Sequence, residues 1–410
     1  MRRAVLRLTL MASISALLCI SIFSWTNLRG IGPACKRPSG DVSRLIGSAR
    51  EGSDAANNPL VLPSGFSISV FADGLGQPRV MILDPGNTLL VSIPSQGKVV
   101  ALPDLDADGV ADRVVTVIDD LNRPHGMAVR CSPDCRLFIA EKDRVTVYSY
   151  DQKNLRAVKL KQLADLPGGG GHSTRTLLFL PGPRDDKLLI SVGSSCNVCN
   201  EDDWRRARIL SVPADGGSLS TFASGLRNAV FLTVHPGTQE VWATEMGRDL
   251  LGDDLPPDEI NIIEKGRDYG WPFCYGKNIH DDAYDPGKKS TCKEPETYPS
   301  HIDIPAHSAP LGLAFFPETG WPAEYRNNLL VCYHGSWNRS IPTGYKIVRY
   351  RLDDRGKLLT AEDFATGWLA KDGSLFGRPV DIMIRPDGAI FVSDDKAGVI
   401  YRIKRDNAPK

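Results

Sequence analysis

Four glycines before a histidine form the stretch best suited to chemistry: Gly168-Gly169-Gly170-Gly171-His172-Ser173-Thr174-Arg175, running into the apolar Leu177, Leu178, Phe179 and Leu180. Glycine lets a backbone bend sharply and approach another group closely. An imidazole titrates near neutral pH, so His172 in such a loop can accept a proton beside a flat ligand. A flexible loop whose histidine caps a strand would use the same residues.

Two acidic stretches offer hard oxygen ligands of the kind calcium prefers. One runs from Thr244 to Asn261, with carboxylates at Glu245, Asp249, Asp253, Asp254, Asp258 and Glu259 among turns at Gly247 and Gly252. A solvated acidic loop has the same composition. The other is Asp104-Leu105-Asp106-Ala107-Asp108-Gly109. It matches the first half of a calcium loop, but Val115 stands at the twelfth position, where a glutamate is expected. Asp104, Asp106 and Asp108 are therefore candidate ligands of a structural calcium. His334-Gly335-Ser336-Trp337-Asn338-Arg339 adds a histidine, an aromatic ring and an arginine. Tyr269-Gly270-Trp271-Pro272-Phe273-Cys274-Tyr275-Gly276 is an aromatic cluster whose rings fit either stacking on a sugar or packing of a loop.

What positions these residues is an internal repeat. Phe71-Ala72-Asp73-Gly74-Leu75, Phe222-Ala223-Ser224-Gly225-Leu226 and Phe364-Ala365-Thr366-Gly367-Trp368 share one signature, with looser copies at Val117–Leu121 and Gln162–Leu166. Each ends a strand-like segment. After it come a polar turn, an alternating apolar strand, a turn and a second strand. Six such strand pairs are legible, beginning near Val80, Gly126, Thr176, Val230, Leu311 and Val380. Turns such as Asp84-Pro85-Gly86 and Arg385-Pro386-Asp387-Gly388 join their members. Third strands follow at Gly97–Leu102, Ala207–Val212, Tyr345–Leu352 and Gly398–Lys404.

The expected fold is all-β, a six-bladed propeller of four-stranded antiparallel sheets. The chain opens on an outer strand near Phe66 and closes on three inner ones. The N-terminal strand should therefore complete the last blade and leave no free edge. A pair of β-sandwiches is the rival architecture, and the fixed place of the signature before each strand pair argues against it.

The residues just before each innermost strand must then converge on one end of the ring. They are Arg79; Arg123 and His125; His172 and Arg175; Arg227 and Asn228; His307; and Arg378. Cations and histidines dominate where ordinary turns would offer Ser, Asn and Gly, so the ring predicts an anionic ligand on the axis.

Of 410 residues, 49 are Lys or Arg and 49 Asp or Glu, a balance that excludes nucleic acid as the expected partner. Residues 1–28 read as a signal peptide or a membrane anchor: Met1-Arg2-Arg3 precedes an apolar run from Leu8 to Trp25. Residues 29–60 read as a flexible linker, and 61–406 as the propeller. The protein is expected to be exported, periplasmic or secreted. Of nine cysteines, Cys131/Cys135, Cys196/Cys199 and Cys274/Cys292 are close enough in sequence for local disulfides. Cys196-Asn197-Val198-Cys199 is also a redox or zinc spacing, but no second CxxC and no haem-type histidine accompany it.

Together these motifs resemble the soluble pyrroloquinoline quinone (PQQ)-dependent sugar dehydrogenases, in their sorbosone and pyranose dehydrogenase branch. The resemblance spans Leu62 to Arg405 and rests on Gly225-Leu226-Arg227-Asn228, the Glu245–Asn261 loop with Tyr269-Gly270-Trp271-Pro272, His172–Arg175 and His334–Arg339. It implies a quinone on the axis, calcium, a sugar substrate and an external electron acceptor. It implies His172 as general base and Arg227 beside the reactive carbonyl. Arg123, His125, Arg175, Asn228, His334, Arg339 and Arg378 become quinone contacts, and Gly247 and Arg248 calcium ligands through their carbonyls, with Asp258 beside them. The glucose-oxidising members carry Gln-Gly-Pro where this chain has Met246-Gly247-Arg248, and a lysine in the fifth blade where it has His334–Arg339. Six-bladed calcium-dependent lactone hydrolases are the alternative, but those need an acidic axial site. A third reading is a propeller that binds a protein or glycan without catalysis.

Overall fold

The structure, a computed structural model, describes residues 59–182 and 186–406. The candidate signal or anchor, and all but the end of the candidate linker, lie outside them. Among the described residues no α-helix forms. The chain instead winds through six four-stranded antiparallel sheets.

After an opening strand β1 (Phe66–Ala72), the first blade is β2 (Met81–Leu83), β3 (Leu89–Ile93), β4 (Lys98–Leu102) and β5 (Val115–Ile118). The second is β6 (Met127–Cys131), β7 (Cys135–Ala140), β8 (Arg144–Asp151) and β9 (Arg156–Asp165). The third is β10 (Leu177–Phe179), β11 (Lys187–Val192), β12 (Arg208–Pro213) and β13 (Ser220–Ser224). In the fourth, β14 (Ala229–Val234), β15 (Val241–Glu245) and β16 (Asp258–Ile263) precede a small hairpin, β17 (Cys274–Tyr275) and β18 (Ile279–His280). The outer strand β19 (Ile302–Ile304) completes it. The fifth is β20 (Pro310–Phe315), β21 (Leu329–Tyr333), β22 (Lys346–Leu352) and β23 (Leu358–Ala365). The sixth is β24 (Pro379–Ile384), β25 (Ile390–Asp394) and β26 (Val399–Arg405). Its fourth strand is β1, which pairs with β26 from Phe66↔Arg405 to Ala72↔Ile400. The propeller, and its closure by the first strand, stand as the repeat predicts.

The first strands of successive blades meet one another in a closed circle, β2 to β6, β10, β14, β20, β24 and back to β2. They are the inner strands. Side chains stitch neighbours across that circle: Met81 N–H donates to Asp381 Oδ2 at 2.8 Å, and Thr244 Oγ1 donates to the Leu311 carbonyl at 2.7 Å. The core is divided accordingly into six apolar clusters, each dominated by residues of two adjacent blades. Strands covered on both faces read as unbroken apolar runs, and β3 (LLVSI) is buried throughout. The repeated signature has a packing role. Phe71, Phe222, Phe364, Leu226 and Trp368 are buried between blades, and Trp368 Nε1 donates to Asp394 Oδ2 at 2.9 Å.

Candidate functional site

Each inner strand starts at the same end of the ring. The second strand of each blade runs antiparallel to the first, so it finishes at that end too. Two sets of loops therefore meet there: the residues before β2, β6, β10, β14, β20 and β24, and those after β11, β15, β21 and β25. Sequence reasoning took the first set and, from the second, His334–Arg339 and the acidic stretch Thr244–Asn261. It missed Ser194 and Asp395, and it read Asn197 and Asp249 only as parts of a CxxC spacing and an acidic stretch. Their signal was a polar residue within five positions of the end of a second strand.

His172 is the best-defined chemical group. Its Nδ1 lies 2.9 Å from the Ser194 carbonyl oxygen and 2.9 Å from Ser194 Oγ. A carbonyl only accepts, so Nδ1 carries the proton and Nε2 keeps its lone pair. Nε2 has no partner among the described residues and is not among the occluded polar atoms, so it faces outward. Burial, and then the positive charge of Arg227, push the imidazole pKa down to about 4. His172 is thus neutral at pH 7. Its position depends on Gly193, where a Cβ would come within 2.4 Å of Asn228 Oδ1 and 2.8 Å of His172 Cβ.

Arg227 is nearly buried, at 5% exposure. Its Nε donates to the Asn197 carbonyl at 2.8 Å, Nη2 to Asn197 Oδ1 at 2.9 Å and Asp249 Oδ2 at 3.2 Å, and Nη1 to the Gly247 carbonyl at 3.0 Å. Asn228 lies beside it. Its N–H donates to Glu245 Oε1 and its side-chain amide rests on Met246 Sδ.

A second basic group joins blades one, five and six. Asp395 accepts from Arg79 Nη1 at 2.7 Å and from His334 Nε2 at 2.9 Å. Burial opposes the charge of Asp395, but the His334 hydrogen bond and Arg79 outweigh it and hold the carboxyl well below its ordinary range. His334 itself is pushed down to about 4, chiefly by burial. Arg378 donates from Nε to the His334 carbonyl at 2.9 Å and from Nη2 to the Gly335 carbonyl at 2.6 Å. Its Nη1 has no partner among the described residues and is not occluded, so it can meet a carboxylate.

Other predicted members of the ring precede inner strands as the repeat put them, but most turn their side chains to other partners. Arg175 is fully buried, and its guanidinium donates to the carbonyls of Pro167, His172 and Thr174. It braces the glycine loop and is no ligand contact. His125 is 2% exposed. It holds the Arg175 carbonyl through Nδ1 and meets Phe231 edge-on, and burial drives its pKa to about 3. Both fill the seam between inner strands. Arg123 is exposed, with a positive φ of 52° and no side-chain partner among the described residues. Arg339 pairs with Asp254 at 2.9 Å, and His307 Nε2 meets the Gly252 carbonyl at 2.7 Å. Both fasten the Glu245–Asp258 loop.

The calcium readings divide. Asp258 accepts the N–H of Gly247 at 2.8 Å through Oδ1 and the N–H of Ala309 at 2.9 Å through Oδ2. Both oxygens bind backbone, so it supports the loop. The Gly247 carbonyl accepts one hydrogen bond from the Arg227 guanidinium. The Arg248 side chain is bound to Asp281. Neither contact occupies the Arg248 carbonyl, and the Gly247 carbonyl keeps a second lone pair, so main-chain oxygens remain there for a hard cation. Away from the ring, carboxylate oxygens of Asp104, Asp106 and Asp108 do lie within 4.8 Å of one another.

The TrAA12-like family model matches residues 60–406. The chain belongs to that family. An uncharacterised protein of Borreliella burgdorferi is 30% identical over 374 residues, which cover 88% of this chain and 94% of that one. A PQQ-dependent pyranose dehydrogenase of Coprinopsis cinerea is 26% identical, covering 84% of this chain. The chain spans about half the length of that curated relative, 54%. The holo form of the PQQ domain of pyranose dehydrogenase from the same organism superposes with a TM-score of 0.71 at 23% identity, covering 84% of this chain and 97% of that one. The donor set suits an anionic ligand: Arg378 Nη1 and the part-exposed Arg79 offer N–H groups to carboxylates.

Proposed function

We propose that this protein oxidises a hydroxyl group of an aldose, pyranose or sorbosone-type sugar with PQQ as cofactor, and passes the electrons to an external acceptor. One observation carries the reading: Ser194 fixes the His172 tautomer so that Nε2 is an outward-facing proton acceptor beside a basic group. Membership of the family supports it, as does the name of the fungal relative.

In this reading Arg378 and Arg79 would hold the quinone through its carboxylates, with Arg227 and Asn228 among the other residues that would hold it. The quinone, when bound, supplies the acceptor for the two electrons of the sugar C–H bond. His172 Nε2 takes the hydroxyl proton, and Ser194 stabilises the imidazolium that forms. Burial, aided by the charge of Arg227, keeps His172 neutral until then. No step is assigned to calcium at Gly247. The three disulfides, Cys131–Cys135, Cys196–Cys199 and Cys274–Cys292, support an exported location in an oxidising compartment.

The test mixes purified protein with PQQ and a dye acceptor and surveys a panel of sugars. Dye reduction that needs both sugar and quinone, and that is lost in His172→Ala, is expected. Turnover of lactones without quinone would replace this reading with the hydrolase.

A further inference from the structure

The loop Ser194–Cys199 touches both groups on which the proposed chemistry depends. Ser194 holds His172 Nδ1 through its carbonyl and its hydroxyl, and its own N–H donates to the Arg227 carbonyl at 2.7 Å. Ser194 Oγ donates to the Cys196 carbonyl at 2.6 Å. Asn197 takes two of the Arg227 donors, on its carbonyl and on Oδ1. The same Oδ1 accepts the Asp249 N–H at 2.8 Å, and Nδ2 donates to the Asp249 carbonyl at 3.0 Å. One side chain thus locks a cation to the loop that carries its counter-ion.

Nothing regular holds this segment, which lies between β11 and β12. Besides the segment's bonds to Arg227 and Asp249, the Cys196–Cys199 disulfide closes the loop covalently, the Gly171 N–H donates to the Ser195 carbonyl at 2.7 Å, and the Ser195 N–H donates to Glu201 Oε1 at 2.6 Å. That carboxylate lies 3.8 Å from Cys199 Sγ. A neighbouring anion disfavours thiolate, so the pair is built to stay a crosslink and is a poor nucleophile.

We infer that Asn197, clamped by the Cys196–Cys199 disulfide, is a positioning residue for Arg227 and makes the site sensitive to reduction of that crosslink. This rests on the reading of Arg227 and His172 above. Reduction by a dithiol breaks the S–S bond and forms two S–H groups. The dithiol supplies two electrons and two protons and becomes a cyclic disulfide. Asn197 is then free to leave, and Arg227 keeps only Asp249 and loop carbonyls.

The experiment compares wild type, Asn197→Ala and the Cys196→Ser/Cys199→Ser double variant, which spares the other two disulfides. PQQ affinity is read from tryptophan quenching in quinone-free protein, and the histidine titrations are followed by NMR without any quinone. The expected result in both variants is a quinone Kd weakened about ten- to a hundredfold. The His172 titration should rise as Arg227 moves away, while His125 and His334 keep theirs. Unchanged His172 titration in both variants overturns the inference, and so does a general shift of all three histidines, which would mark a merely structural role. Failure of wild type to bind quinone at all would sink the proposed function, while the NMR comparison would still decide the role of Asn197.

Discussion

An imidazole with a pKa of about 4 leaves a signature in the pH dependence of kcat/KM. That quantity reports groups of the free enzyme, and the base must be neutral to act. At pH 5.5 a group of pKa 4 is about 97% neutral, whereas an unperturbed histidine near 6.5 is about 9% neutral. Activity at pH 5.5 should therefore stand about tenfold above what an ordinary histidine would allow, with the acid limb centred near 4. The cause can be tested separately. Burial is the larger influence and the charge of Arg227 the next, so Arg227→Met should move the limb upward only part of the way toward 6.5. His172→Ala should abolish the limb and slow turnover about 10²- to 10⁴-fold, roughly 3–5.5 kcal/mol of barrier. The assay is initial dye reduction from pH 3.5 to 8 at limiting sugar. A wild-type limb near 6.5 that Arg227→Met leaves in place would refute the electrostatic argument. Retained turnover in His172→Ala would refute the role of the base.

Four further outcomes are expected. Gly193→Ala should lower kcat more than tenfold while costing about 1–3 kcal/mol of stability in denaturant titration, because the new methyl group displaces Asn228 and His172. Asp258→Asn should destabilise by about 1–3 kcal/mol, since an amide cannot accept from both Gly247 and Ala309. Burial raises the Asp258 carboxyl to about 7. In the unfolded chain it ionises near 4, so its contribution to stability is lost as pH rises from about 4 to 7, and the penalty for Asp258→Asn should be greatest at the acid end. Phe71→Ala should cost about 3–5 kcal/mol in thermal or denaturant unfolding, because Phe71 is 1% exposed and meets Phe391 edge-on across the closing seam. Cys332 should resist thiol reagents until the protein is denatured, since it is wholly buried and burial raises its pKa.

The propeller was legible because the blades announce themselves by turn chemistry and, in three of the six, by a buried aromatic at the same offset. Phe71, Phe222 and Phe364 mark places where a ring must fill the gap between sheets. The outer strand of the fourth blade was not legible. β19 is three residues long and follows an insertion with its own hairpin, so Arg248–His307 reads as one loop. Within the site, the repeat fixed which residues precede the inner strands but not which way each side chain turns. His172 and Arg378 turn outward at the ring end, while His125 and Arg175 turn into the seam, where a buried guanidinium finds carbonyls to bind. Asp395 and Asn197 escaped because their role comes from pairing a second-strand end with the start of a first strand in another blade. That juxtaposition belongs to the closed ring and to no single stretch of sequence.

The pairing of Phe66 with Arg405 has a consequence for how the chain can be rewired. The two extremities of the folded body are neighbours on one strand edge, so a short peptide could join them. A new start could then be cut at the exposed Asp215–Gly217 turn of the third blade. Such a circular permutant would trade the non-covalent seal of the sixth blade for a covalent one. If it still folds, order of synthesis around the circle is immaterial to the architecture, and only the six contacts between neighbours count.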